Sequence, residues 1–189
     1  MQITITDKKW PAVQFEESES RKEGVHLSDV IKSLQDKAGI GPKATGGFKD
    51  LELAGEIGIL WERVLAKVMS EKYSHRPNQI RKDGIWMSPD GIGPDPDGIV
   101  PVVLKEYKAA WKSSAKPIDT NFYYMAQVKS YCYALDLNVA MMHIFYVMGD
   151  YRGSGPLYRE ARLKFSKDEL RDNWKMIVKH KEDYFDIEI

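Results

Sequence analysis

Cysteine is nearly missing: Cys132 is the only one in 189 residues. That excludes a disulfide framework, a four-Cys zinc site and a four-Cys iron–sulfur cluster within one chain. Long apolar runs are missing too, so no segment is expected to span a bilayer, and the opening MQITITDKKW lacks the apolar stretch of a secretory signal. A cytoplasmic location is the expectation. Neither sign of charge is in excess, since 28 Lys and Arg balance 28 Asp and Glu. This argues against coating nucleic acid by bulk charge but leaves room for a local basic groove. Repeats and low-complexity tracts are absent.

Core material is plentiful. Hydrophobic residues make up 43% of the chain, with five Trp, ten Tyr and six Phe, so the chain is expected to fold as one ordinary domain rather than stay disordered. Residues 1–50 are the least legible and read as a partly irregular arm or subdomain; residues 51–189 read as the main domain. Within the arm, Ser28 is placed to cap a helix through about Lys37, with Val30, Ile31 and Leu34 on one side. From Asp50 to about Glu71, Leu53, Ile57, Leu60, Trp61, Val64, Leu65 and Val68 recur at helical spacing. Gly55, Gly58 and Glu62 share a flank of that helix. Two interior glycines cost roughly 1 kcal/mol each, which calls for something close to the backbone there.

Period two takes over from Asn78 to Lys108. Strand-like sequence around Ile80–Ser88 runs into a turn at Pro89-Asp90-Gly91, and GPDPDG (Gly93–Gly98) carries hairpin chemistry before IVPVVLKEYK returns as a strand. Asn121–Leu135 reads as a helix, Ala140–Val147 and Tyr158–Phe165 as strands, and Ser166 with Glu169 as a capping box opening a last helix to about Tyr184. Leu170, Trp174 and Ile177 are its inward positions, and Met141, Met142 and Met148 read as core filling. The order implies a mixed α/β domain.

The chemistry concentrates in the hairpin. Asp90 and Glu106 are separated by fifteen residues, a span that brings them side by side across a ladder. Glu106 and Lys108 then share a strand face, with Tyr107 on the other. Adjacent carboxylates repel, and Mg²⁺ or Mn²⁺ relieves the repulsion, lowering the pKa of water and stabilising a phosphoryl oxygen; Lys108 would orient the attacking water. A cross-strand ion pair on a wet face would leave the same string of residues. Gln127 and Tyr131 lie one turn apart on the next helix, with Tyr123 and Tyr124 before them to stack or wedge; Tyr131 equally suits a core position, whereas a Gln in apolar surroundings needs a partner. Lys112, Lys129 and Arg152 are candidate phosphate contacts. Five Lys fall between Val103 and Cys132 against Glu106 and Asp119 alone. His26 and His75 sit in loop-like sequence, His143 reads as a core residue, and no His pair has zinc-site spacing. Asp83 rivals Asp90 as the acidic position but lies before the turn.

Gly58-x3-Glu62, Ser88-Pro89-Asp90-Gly91, Glu106-Tyr107-Lys108 and Gln127-x3-Tyr131, in that order, resemble the PD-(D/E)XK nuclease superfamily over about 51–184. The resemblance is closest to the branch that holds the RecB nuclease domain, Cas4 and lambda exonuclease, and in particular to small phage-encoded exonucleases. It implies a restriction-endonuclease-like domain, a mixed central sheet flanked by helices. It also implies a metal-dependent deoxyribonuclease that hydrolyses phosphodiester bonds at DNA ends, in recombination or genome processing. Glu62, Asp90, Glu106 and the Tyr107 carbonyl match metal-binding positions, Lys108 the catalytic lysine, and Gln127 and Tyr131 the Q-x3-Y motif. Mg²⁺ or Mn²⁺ is the implied cofactor, and DNA the implied partner, with a recombination or single-strand-annealing protein beside it in the cytoplasm of a bacterial host. A homo-oligomer is left open. A Cas4-type cluster is excluded by the single Cys. The alternatives are a nicking or structure-specific endonuclease of the same fold and an inactive nucleic-acid- or protein-binding module. A carboxylate-pair glycosidase leaves the lysine unexplained.

Overall fold

The computed structural model describes residues 22–40, 57–61, 63–64, 76–111, 113–150, 152–153 and 155–186. Among them, no helix is long and apolar enough to cross a membrane. The order is β1 (Val25–His26), α1 (Leu27–Lys37), β2 (Ile80–Lys82), β3 (Ile85–Met87), β4 (Gly91–Gly93), β5 (Val103–Ala110), a 3₁₀ turn at Ile118–Thr120, α2 (Phe122–Ala134), β6 (Val139–Tyr146), β7 (Leu157–Lys164) and α3 (Lys167–Tyr184). Residues 57–61 and 63–64 are also helical.

Two sheets form, ordered β1-β3-β2 and β4-β5-β6-β7. The larger is mixed: β5 runs parallel to β6, while β4 and β7 are antiparallel to their neighbours. A parallel pair needs a crossover, which α2 supplies between β5 and β6. Alternation then sorts the side chains. Leu104, Ala110, Ala140, Met142, Ile144 and Tyr146 face the helices in the main core, whereas Val103, Val139 and Met141 form a smaller cluster on the other face. On that second face Trp61 stacks on Phe145 with ring centres 4.0 Å apart.

Capping and packing place the helices. The Ser166 hydroxyl accepts from Glu169 N at 3.2 Å, and the Glu169 carboxylate accepts from Ser166 N at 2.8 Å, a reciprocal cap of the kind in which the Ser alone is worth about 1 kcal/mol. Leu170, Trp174 and Ile177 are buried as expected. Asn173 joins α3 to α2 by donating to Ala126 O at 3.2 Å and Ser130 Oγ at 3.0 Å. Trp174 stacks on Tyr133 and donates its indole N–H to Asp83 Oδ2 at 2.7 Å. Asp83 therefore has a structural partner in α3. Residues 25–37, within the stretch read as an arm, join the fold: Val25 pairs with Ile85, and Val30 and Ile31 are fully buried.

Several local expectations are corrected. Helix α1 opens at Leu27 with His26, not Ser28, at its N-cap. Ile80–Ser88 is not one strand but a hairpin, turned at Asp83-Gly84, where both residues have positive φ (48° and 76°). Residues 99–102 do not belong to β5; the N–H groups of Ile99 and Val100 donate to Asp95 Oδ2, each at 3.0 Å. Met148, Leu60 and Val64 are exposed rather than inward. Gly58 meets no described atom within 4 Å of an added Cβ, so no described neighbour crowds its backbone. Gln2–Thr6 and the rest of the helix read over 50–71 lie outside the described residues.

Asp95 ties the β4–β5 loop to β7. Both its oxygens accept from the Arg162 guanidinium, at 2.6 and 2.8 Å, and this pairing holds its carboxyl well below the usual value of 3.8. A depressed carboxylate contributes stability that is fully present above its unfolded pKa and is lost as pH falls toward the folded one. Urea midpoints should therefore fall steeply for the wild type below about pH 4. Arg162→Gln should be less stable at pH 6 yet show a shallower decline into acid; parallel acid profiles would contradict this. In the core, burial and then the nearby Glu106 push the Cys132 thiol up to about 12. At pH 8 the native protein should not react with a thiol-specific disulfide reagent over minutes, whereas the denatured chain reacts at once. Rapid labelling of the native state would contradict the burial.

Candidate active site

The β4–β5 ladder assembles the acidic pair. Gly91 pairs with Lys105 and Ile92 with Leu104, so the residue before Gly91 arrives beside Glu106 and Tyr107. The Tyr107 amide donates to Asp90 Oδ2 at 2.9 Å in a buried hydrogen bond. Glu106 is only 1% exposed, and Asp90 is buried as well. Lys108, two residues along β5 on the same face, brings its Nζ to 2.5 Å from Glu106 Oε1 and 3.8 Å from Asp90 Oδ2. One positive charge thus meets both carboxylates. Burying these ions costs several kcal/mol each unless they compensate one another, and here they do.

Helix α2 forms the facing wall. Gln127 Nε2 donates to the Tyr131 hydroxyl at 3.0 Å, the i, i+4 contact that their spacing allows. Gln127 Oε1 is buried without a hydrogen-bond partner. Burial, and then the charge of Glu106, hold the Tyr131 phenol well above its ordinary value. Tyr123 is raised for the same first reason. Asp90, Lys108, Gln127 and Tyr131 line a cleft of about 380 Å³ whose rim carries Arg76, Trp86, Tyr123 and Tyr124. Glu106 is not in the lining but contacts Lys108, which is.

The other sequence candidates fall elsewhere. The Tyr107 ring points to the opposite sheet face, tilted against His143. Lys129 stands near the Phe165 ring and lines a separate groove with Arg162 and Glu169. Arg152 is exposed in the β6–β7 connection, its amide donating to Asp150. Glu62 and Lys112 lie outside the described residues. His143 is buried as read: its Nδ1 lies 2.7 Å from the Tyr158 hydroxyl, which donates to Glu160, and burial lowers its pKa.

His26, Arg76 and Trp86 on the cleft wall were not singled out as cleft residues by sequence reasoning. His26 and Trp86 arrive there because β1 pairs with β3, a long-range event that neither local pattern announces. Arg76, seven residues before the hairpin turn, has no distinguishing spacing. Their arrival makes the cleft mixed: Asp90 and Lys108 share its lining with aromatic and basic groups.

Can these donors suit the hard divalent cation that the sequence resemblance implies? Two buried carboxylates already converge on one ammonium, oxygen donors of the type such ions prefer, so the donor chemistry fits. Among the described residues, no third Asp, Glu, His or Cys joins them.

No family model matches the chain, and no curated protein does. Solved structures do. The crystal structure of SSO0001 has a TM-score of 0.53 at 14% identity, over 90% of this chain and 80% of its own. An alkaline exonuclease, LHK-Exo from Laribacter hongkongensis, has a TM-score of 0.53 at 15% identity, over 85% of this chain and 87% of its own. The same exonuclease in complex with dAMP gives 0.52 at 16% identity over the same shares. At such identities the likeness is one of fold. The chain shares its mixed α/β fold with this exonuclease, and a mixed α/β domain is what the sequence resemblance to the PD-(D/E)XK superfamily, in its lambda-exonuclease-like branch, implies.

Proposed function

We propose that the chain is a divalent-metal-dependent deoxyribonuclease that hydrolyses phosphodiester bonds at DNA ends. The observation that supports it most is the Lys108 ammonium, in the lining of a cleft, set against two buried carboxylates. A structural ion pair has no need of a cleft, and a binding module has no need of two buried acids. The fold likeness adds that a neighbour is an exonuclease and that its structure holds dAMP, a deoxynucleoside monophosphate.

In this reading Asp90 and Glu106, together with Glu62, would hold Mg²⁺ or Mn²⁺. When bound, the ion would stabilise charge on the phosphoryl oxygen and make water more acidic. The residues of the chain do the rest. The Tyr107 amide fixes Asp90 by its Oδ2. Lys108 orients the attacking water and places positive charge against the phosphorus centre as it becomes more negative. Gln127 Oε1, buried and unpartnered at the wall, accepts a hydrogen bond from that water or from a base edge. The Tyr131 hydroxyl, accepting from Gln127 Nε2, holds the Gln127 amide in place. Attack displaces the 3′ oxygen and leaves a 5′-phosphate. Lys112, Lys129 and Arg152 would supply further contacts to the strand.

The test is cleavage of end-labelled linear DNA and covalently closed circles with Mn²⁺, with and without chelator. Linear DNA should lose label from its ends and closed circles should persist. Glu106→Gln should lower the rate by about two orders of magnitude or more with the circular dichroism unchanged. Lys108→Ala should do so too, but it strips the partner from a buried carboxylate and costs about 3–5 kcal/mol of stability, so Glu106→Gln is the cleaner variant. Undiminished hydrolysis by purified Glu106→Gln would contradict the assignment, and cutting of closed circles would transfer it to an endonuclease.

A further inference from the structure

Tyr124 of α2 lines two cavities. On one side is the cleft with Asp90 and Lys108; on the other is a pocket of about 450 Å³ walled by Ala110, Ser113, Lys116, Thr120, Asn121 and Tyr146. The two are neighbours by construction. Ala110 ends the strand that carries Glu106 and Lys108, and Asn121 caps the helix that carries Gln127 and Tyr131. The second pocket therefore sits one step along the same strand-and-helix seam as the acidic pair.

Its chemistry suits a nucleobase. Tyr124 and Tyr146 supply aromatic surface, and the Arg159 guanidinium lies 5.8 Å from the centre of the buried Tyr146 ring. The Ser113 and Thr120 hydroxyls donate within the chain, to Asp150 O at 3.4 Å and Pro117 O at 2.6 Å, so toward the pocket they can only accept. The Asn121 carbonyl oxygen accepts from Tyr124 N at 3.4 Å, which leaves its amide NH₂ to donate to a base edge. Lys116 is exposed beside them, placed for a backbone phosphate. The volume lies within the ~300–1,000 Å³ usual for small-molecule sites. A base stacked and paired in a duplex offers neither a free face nor a free edge to such a pocket, whereas an unpaired one offers both.

Resting on the nuclease reading, we propose that this pocket receives the base next to the scissile phosphate in an unpaired DNA strand, with Tyr124 as the partition between successive nucleotides. Substrate choice follows: a single-stranded or frayed end is the preferred form, because a base must leave its stack to enter.

The experiment uses the wild-type protein with Mn²⁺ and end-labelled single strands carrying one abasic residue, stepped position by position across the cleaved bond. At one position beside that bond the abasic residue should lower kcat/KM about tenfold, the effect of losing one stacked base, with little change elsewhere. Lys116→Ala should raise KM with kcat unchanged. Tyr124→Ala should erase the position dependence and Tyr124→Phe should keep it. A uniform response to the abasic position, or cleavage of blunt duplex ends as fast as unpaired ones, would overturn the proposal. Absence of any cleavage of the unmodified strand would instead bring down the nuclease reading, and this one with it.

Discussion

A three-residue strand holds the candidate site together. Pairing of Gly91–Gly93 with Val103–Lys105 decides which residue follows Pro89 into the interior, and the Tyr107 amide then takes hold of Asp90. A slip of one residue would turn Glu106 and Lys108 to the other sheet face, where Tyr107 and His143 now lie. Register is secured from outside the site. The 99–100 amides and the Arg162 guanidinium all converge on Asp95, so the loop between the two strands is pinned to β7. The acidic pair is thus positioned by a second, purely structural carboxylate in the same hairpin.

The two sheet faces divide the labour. Toward the helices, apolar side chains surround a small island of charge, and the low polarity that raises Tyr131 and Cys132 also strengthens any electrostatic effect exerted there. Replacing such a buried ion group with apolar residues is often neutral or stabilising. A buried ion group opening on a cleft with aromatic and basic walls fits chemistry better than stability. On the opposite face Tyr158 links His143 Nδ1 to Glu160, while His143 Nε2 is buried without a hydrogen-bond partner.

Most of the fold was legible because its signals are local. The capping box at Ser166, the apolar period of α3 and the run of β6 each declare themselves within a few residues. The Asp90–Glu106–Lys108 cluster was legible because strand alternation and hairpin length set it. What escaped depends on distant partners or on turn chemistry read too coarsely. Asp83-Gly84 is a hairpin signal that the surrounding β-rich sequence hid. Pairing of β1 with β3, which carries His26 and Trp86 to the cleft, leaves no local trace. Lys129 shows the limit of spacing arguments: two residues from Gln127 on a helix, it faces a different groove. Met148 shows the limit of composition, since an apolar residue just past a strand end need not be covered.

The central claim is that Asp90 and Glu106 form a cation site which Lys108 now fills with its ammonium. Anomalous diffraction from crystals soaked in Mn²⁺ addresses it directly. The account predicts a peak within coordination distance of both carboxylates, about 2.0–2.6 Å for oxygen ligands of hard divalent ions, with Lys108 Nζ displaced from Glu106. A peak bound elsewhere, or none while Lys108 keeps its contact to Glu106 at saturating Mn²⁺, would contradict it.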